Sequence, residues 1–397
     1  VDQETFRRVL EEDLAPMLAG ELKKDPLPST ARELTIAYEG PCRLLVKPTR
    51  DTAYRFAIDR SQSFSPQEKQ LAEDFINQLE AIAKIDSGIY ERDLLRALPT
   101  RVIAHHMGSG EVLHSILDHL QIWSAQTYEG QRIVAAVGIQ GAPGNARLPL
   151  HTLWGEDYGP VMTNGFDTLL EVDSVGNVHG LVHLDVPAVV SRKAPYRLGR
   201  IAEWTNGGAT AVVLNRNGEI LVFRDASLHF VRRNGIWVHY SHDVNIRRLS
   251  PPRGQSLRKA IYESCLDVSY ARCGGCIGVL SYDNRENTDE LIAEPDLLDS
   301  SDTYKVRLIR TAVAGRPFQE IDRRIRQELL ALDGALVLDH KGKLLTAGAI
   351  LKVPEGSVGG GGRRAAAVAI SKRGLGVKVS QDGSIIGFHD GKTSLTT

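Results

Sequence analysis

The sequence predicts an α/β protein of more than one domain, built on mixed sheets. Three observations predict it. The chain has 397 residues, more than one ordinary domain needs. Segments of helical period alternate with short apolar runs and hairpin signals. Hydrophobic residues make up 42% and charged residues 24%, a balance that fills real cores. Pro/Gly punctuation suggests three zones: a mixed α/β region at 1–190, a β-rich stretch at 191–254 and a compact α/β domain at 255–397.

In the first zone, Ser65-Pro66 reads as cap and first-turn residue of a helix that puts Leu71, Phe75, Leu79 and Ile82 on one face. "GEVLHSILDHLQIWSAQ" is a second helix, with Leu113, Ile116, Leu117, Leu120 and Trp123 aligned. "RIVAAVGIQ" reads as a buried strand, and "FDTLLEVDSVGNVHGLVHLD" as a hairpin turning near Gly176-Asn177. The middle zone opens with a hairpin turning at Asn217-Gly218, adds the strand "NGIWVHY", and ends at Pro251-Pro252. The last zone begins with a helix capped by Ser256 and the strand "GGCIGVLS". "PFQEIDRRIRQELLAL" predicts a helix facing Phe318, Ile321, Ile325, Leu329 and Leu332 inward. A hairpin turning at Lys341-Gly342, a glycine loop opening a helix, and a hairpin turning at Asp382-Gly383 complete the chain. The hairpins Ala209–Leu221 and Gly334–Leu345 look alike, which admits an ancient duplication; amphipathic hairpins with such turns also look alike without one.

The bulk numbers exclude several classes. A formal net charge of −1 argues against a dedicated nucleic-acid binder. No apolar run has the length of a membrane span. The acidic, amphipathic start "VDQETFRRVLEEDL" lacks a secretory apolar stretch, and a start methionine was removed or lies outside this numbering. Four cysteines make no disulfide framework in a chain of this size, so a cytoplasmic location is expected. Cys273 and Cys276 form a CxxC, but no second pair of ligands accompanies them, so no structural zinc is expected. His105, His106, His114 and His119 lack the His-Glu-x-x-His spacing and read as surface or satisfied core residues. Arg232, Arg233, Arg247, Arg248 and Arg253 read as a solvated basic face, and Glu156 and Asp157 as a polar loop.

One constellation carries chemistry. Four consecutive glycines, Gly359 to Gly362, let the backbone approach a ligand and expose its N–H groups. A helix follows, with its positive dipole end toward them. Arg363 and Arg364 add guanidinium forks suited to phosphate oxygens. The alternative is a loop with two solvated arginines. Asp333, between a helix and a buried strand, is either an ordinary turn residue or a carboxylate that holds Mg²⁺ or Mn²⁺ beside a nucleotide.

Residues from 255 to about 390 resemble the diadenylate cyclase domain. The resemblance rests on the order of elements and on "LDGALVLDHKGKLLTAG", which carries the family's Asp-Gly-Ala as Asp333, Gly334 and Ala335. It covers about a third of the chain. It implies that Asp333 faces metal and a 3′-hydroxyl and that Gly334 and Ala335 lie against the nucleotide. It further implies that the Gly274-Gly275 strand flanks the adenine and that Gly361, Gly362, Arg363, Arg364 and Ser380 meet phosphate. Active members carry Gly-Thr-Arg-His-Arg in the loop, whereas this chain has "GGGGRRAAA": one arginine is replaced and the histidine is gone. The expectation is therefore a sensor that binds an adenine nucleotide or cyclic dinucleotide, with Mg²⁺ or Mn²⁺ only alongside the nucleotide. The alternative is an active cyclase making cyclic di-AMP from two ATP, with Asp333 catalytic. That family works as a homo-oligomer, so one is expected here. The first 250 residues resemble the N-terminal region of cyclase-like proteins linked to bacterial antiviral defence, through segments such as "TYEGQRIVAAVG".

Overall fold

In the computed structural model, the described residues are 2–85, 91–142, 148–156, 159, 162–185, 193–250, 254–281, 285–353 and 361–397. The chain forms two compact units, Val1–Ser241 and His242–Thr397, each mixed α/β. The Pro251-Pro252 punctuation, Arg253, Asp157, Gly359 and Gly360 lie outside the described residues.

The first unit holds a five-stranded and a seven-stranded sheet. The helix Pro66–Ala83 forms as its sequence dictates. Ser65 and Glu68 close a capping box, and Leu71, Phe75, Leu79 and Ile82 are buried. Arg60 grips the Glu68 carboxylate at 2.7 and 2.9 Å. Burial opposes the charge, but Arg60 and the Ser65 contacts hold Glu68 down at about 2. Its stabilising contribution is therefore complete above the ordinary glutamate range and is lost as pH falls toward 2. Acid titration of Glu68→Gln is expected to show a flatter loss of stability over that window than the parent chain.

The seven-stranded sheet runs in the order Val178–His183, Thr168–Val172, Ala135–Ile139, Thr210–Leu214, Ile220–Arg224, Ser227–Arg233, Ile236–His239. The 191–254 stretch thus contributes its strands to a sheet shared with earlier residues. Its first hairpin strand pairs with Ala135–Ile139, more than sixty residues upstream by the numbering. Local turn signals do not report such a pairing. Three of the four histidines of the 105–119 region make structural contacts, and His105 lies at the surface. His106 Nδ1 lies 2.7 Å from Asp74, His114 Nδ1 3.1 Å from Thr100, and His119 stacks on Trp154 at 4.1 Å. Among the described residues no three His, Cys, Asp or Glu side chains converge as a metal site.

The second unit is a six-stranded sheet between helices. Its order is Leu344–Ala349, Ala335–Leu338, Gly275–Leu280, Gly374–Val379, Ile385–His389, Lys392–Thr396. Only Gly275–Leu280 and Ala335–Leu338 pair in parallel. Alternate side chains serve opposite faces. Ile277, Val279, Leu336 and Leu338 pack with Ile261, Val306 and Leu330. Cys276, Leu280 and Val337 pack with Ala367 and Ile370 of the helix Gly362–Ser371. Two helix readings change. The helix Gln255–Ala271 is preceded by Gly254 as cap, so Ser256 lies inside it. The later helix spans only Arg323–Ala331, because Asp322 caps it and Phe318–Glu320 forms a separate turn after Pro317. Leu332 then falls beyond the helix and is exposed.

Candidate functional site

The sheet itself gathers the site. Gly275–Leu280 and Ala335–Leu338 run the same way, so Gly274 and Asp333 sit at the same edge. Gly374–Val379 runs oppositely, with Val379 opposite Gly275, and delivers Ser380 to that edge as well. The helix Gly362–Ser371 packs so closely on the sheet that a Cβ on Gly278 would fall 2.5 Å from Ile370, and one on Gly376 would fall 1.9 Å from the Ala367 carbonyl. Its first turn therefore opens at this same edge.

Arg363 lies across the backbone of Gly274. A Cβ there would come 2.8 Å from Arg363 Nη1, and Gly274 holds φ at +69°. Arg363 Nη2 is 3.9 Å from Asp333 Oδ1, too far for a hydrogen bond. The Asp333 side chain is fully exposed, while that of Arg363 is 31% exposed. An ion pair of this kind contributes little to stability and leaves the carboxylate open to another partner. Arg364 stacks its guanidinium 5.4 Å from the centre of the Phe388 ring. The Nε atoms of both arginines are shielded from solvent and have no hydrogen-bond partner among the described residues.

The helix start is uncapped. Gly361 precedes it at φ +82° with no side-chain cap, and its carbonyl accepts only from Arg364 and Ala365, each at 3.1 Å. The N–H groups of Gly362 and Arg363 thus have no acceptor inside the helix. Among the described residues, nothing lies within 4 Å of a Cβ built on Gly361 or Gly362. Two cations, the N–H groups of a helix start and a dipole end meet one exposed carboxylate. Chemically, that set can hold phosphate oxygens and place an acid beside them.

The other sequence-predicted residues take different places. Gly274 and Gly275 are buried, and a Cβ on Gly275 would fall 2.6 Å from the Leu330 carbonyl, so Gly275 is a packing glycine. Ala335 is 1% exposed and belongs to the core. Gly334, at φ +106°, lies against the backbone of Gly348 and Ala349 and makes the turn that presents Asp333. Ser380 takes part in the hairpin turn through its backbone, donating to the Ser384 carbonyl at 2.9 Å. Sequence reasoning missed Lys305. Its Nζ donates to the Gly348 carbonyl at 2.9 Å and to Asp296 at 2.6 Å, next to the Asp333 turn. No motif marks it, because it comes from a separate helix, Tyr304–Val313.

The CxxC divides in two. Burial pushes the Cys276 thiol up to about 12, while Cys273 is exposed. Labelling the native chain with a thiol reagent is expected to modify Cys273 readily and leave Cys276 and buried Cys265 unreacted until unfolding.

No known family model matches the chain, and no curated protein matches it. Among solved structures it is similar to a hypothetical membrane spanning protein from Bacillus cereus, at 18% identity over 34% of this chain, with a TM-score of 0.26. The chain spans 61% of that protein's length. It is also similar to a double mutant of DacA from Staphylococcus aureus, at 20% identity over 36% of this chain and 87% of that one, with a TM-score of 0.25. Both likenesses are weak and partial.

Proposed function

We propose that the second unit binds an adenine nucleotide or a cyclic dinucleotide, with its phosphates at the start of the helix Gly362–Ser371. The observation that carries this is the pair of arginines, whose Nε atoms have no hydrogen-bond partner among the described residues, beside an uncapped helix start and an exposed carboxylate. Two guanidinium groups and the N–H groups of a helix start can together take the oxygens of a phosphate. Asp333 is the single carboxylate in this arrangement among the described residues. That suits Mg²⁺ or Mn²⁺ carried in with a nucleotide, whose phosphates complete the coordination, rather than a metal held by protein alone. The sequence lacks the histidine of the cyclase loop, so binding without turnover is the favoured reading. Ground-state affinity rests on N–H groups and arginines, whereas phosphoryl transfer needs charge stabilisation placed for the transition state.

Calorimetry with ATP, and separately with cyclic di-AMP, in Mg²⁺ buffer tests this. Arg363→Ala and Arg364→Ala are each expected to weaken binding about tenfold or more, the loss of a charge-assisted hydrogen bond. Saturable binding that ignores both substitutions would remove the reading. Formation of cyclic di-AMP from ATP and Mn²⁺, abolished by Asp333→Asn, would replace it with the cyclase.

A further inference from the structure

The two units carry the same sheet. In the first, Ala135–Ile139 pairs in parallel with Thr168–Val172 and antiparallel with Thr210–Leu214. In the second, Gly275–Leu280 pairs in parallel with Ala335–Leu338 and antiparallel with Gly374–Val379. The outer strands follow the same order on both sides, and only the first unit adds a further strand, Ile236–His239.

The agreement extends to register. Val137 faces Leu170 and Val212, as Ile277 faces Leu336 and Val377. Val172 faces Val178 and Glu171 faces Gly180 across a bulge, as Leu338 faces Leu344 and Val337 faces Thr346 across a bulge. Val222 faces Phe230 and Phe223 faces Leu228, as Gly387 faces Leu395 and Phe388 faces Thr393. Asp173 accepts from the N–H groups of Val175 and Asn177 through one oxygen, and Asp339 does the same for Lys341 and Lys343. Asp225 and Ala226 have φ of 48° and 54°, and Asp390 and Gly391 have 50° and 75°. Gly138 and Gly278 each admit a helix side chain, Trp204 and Ile370 respectively. Shared topology alone would not reproduce bulges, turn acceptors and left-handed residues at matched positions.

These registers correct the sequence-based pairing of hairpins. Ala209–Leu221 corresponds to the hairpin turning at Asp382-Gly383, and Gly334–Leu345 corresponds to the hairpin that begins at Thr168. They also place Asp167 where Asp333 stands and, since Trp204 matches Ile370 and Thr205 matches Ser371 in its hydrogen bonds, Arg197 where Arg363 stands. Arg200 Nη1 lies 3.5 Å from Asp167 Oδ2.

We infer that the seven-stranded part of the first unit is a second, diverged copy of the nucleotide-site domain, and that its Asp167–Arg197 address is overbuilt and holds no nucleotide. Pro195 and Tyr196 replace Gly361 and Gly362, and Leu198, 8% exposed, replaces Arg364. Val134 replaces Gly274, and its Cγ1 would lie 2.4 Å from a Cβ on Gly165, in the turn leading to Asp167. The Asp167 carboxylate is engaged by Asn164 Nδ2 at 2.6 Å, whereas Asp333 is open. Asn164 and Arg200 therefore fasten Asp167 into a turn, and the chain takes one nucleotide, through its second unit. The count of one rests on the function proposed above; the duplication does not.

Two measurements on the full chain separate these. Calorimetric titration with ATP and Mg²⁺ is expected to give one site per chain, lost in Arg363→Ala/Arg364→Ala and kept in Arg197→Ala. Two sites per chain, or binding that survives the double substitution and disappears with Arg197→Ala, would overturn the overbuilt address. No binding at all by the parent chain would defeat the proposed function and with it the count. The duplication is then judged by exchanging residues 166–178 for the sequence of 332–344. Matched register predicts a chimera that melts within a few degrees of the parent, and a chimera offset by one residue that does not fold. Failure of the matched exchange alongside equal behaviour of the offset one would overturn the duplication.

Discussion

Asp267→Ala is expected to destabilise the second unit by about 3–5 kcal/mol. Arg323 holds Asp267 with two parallel hydrogen bonds of 2.7 and 2.8 Å, and the two side chains are 8% and 1% exposed. A second buried pair, Arg326 with Glu263 at 2.7 Å, joins the same two helices one turn along. Removing the acid takes away the buried opposite charge that the Arg323 guanidinium grips, and that loss dominates the cost. The double change Asp267→Leu/Arg323→Met is expected to recover most of the loss, since it removes both charges together. All four tryptophans lie in the first unit, so urea unfolding followed by circular dichroism should move while tryptophan emission holds. The site feels the change too, because the helix Arg323–Ala331 leads directly into Asp333.

Gly334→Ala is the second large effect, at about 3 kcal/mol or more. The added Cβ would fall 2.6 to 2.8 Å from backbone atoms of Gly348 and Ala349, which have no side-chain freedom to yield. The residue also holds φ at +106°, a region costly to any residue with a Cβ. The strand pair Ala335–Leu338 and Leu344–Ala349 must then part at its end, and the Asp333 carboxylate moves with it. Nucleotide affinity should fall together with thermal stability in this variant. In Arg364→Ala, which breaks no backbone packing, affinity should fall with stability nearly unchanged.

Much of this was legible in the sequence where the signal is local. Ser65, Pro66 and Glu68 announce their helix, and Asn217-Gly218 and Asp382-Gly383 announce their hairpins, because caps and turns are short-range chemistry. The residue types of the candidate site were legible as well: glycines, two arginines and an acid. Their meeting was not. It depends on a parallel pairing that sets Gly274 beside Asp333 and on a helix that lays Arg363 over Gly274. Lys305 carries no pattern at all. Ala335 and Gly275 share the motif's neighbourhood but serve the core, a distinction that only packing reveals. The duplication was half visible. Hairpin likeness pointed to it, yet the wrong hairpins looked alike, because alternation and a glycine turn recur in any two-residue-period strand pair. Register, bulges and the Asp173 and Asp339 turns identify the true counterparts.

A crystal structure of the full chain grown with ATP and Mg²⁺ tests the central claim most directly. The account predicts phosphate oxygens within hydrogen-bond reach of the Gly362 and Arg363 N–H groups and of both guanidinium forks. A nucleotide ordered elsewhere on the chain, with Arg363 and Arg364 still lacking partners, would contradict it.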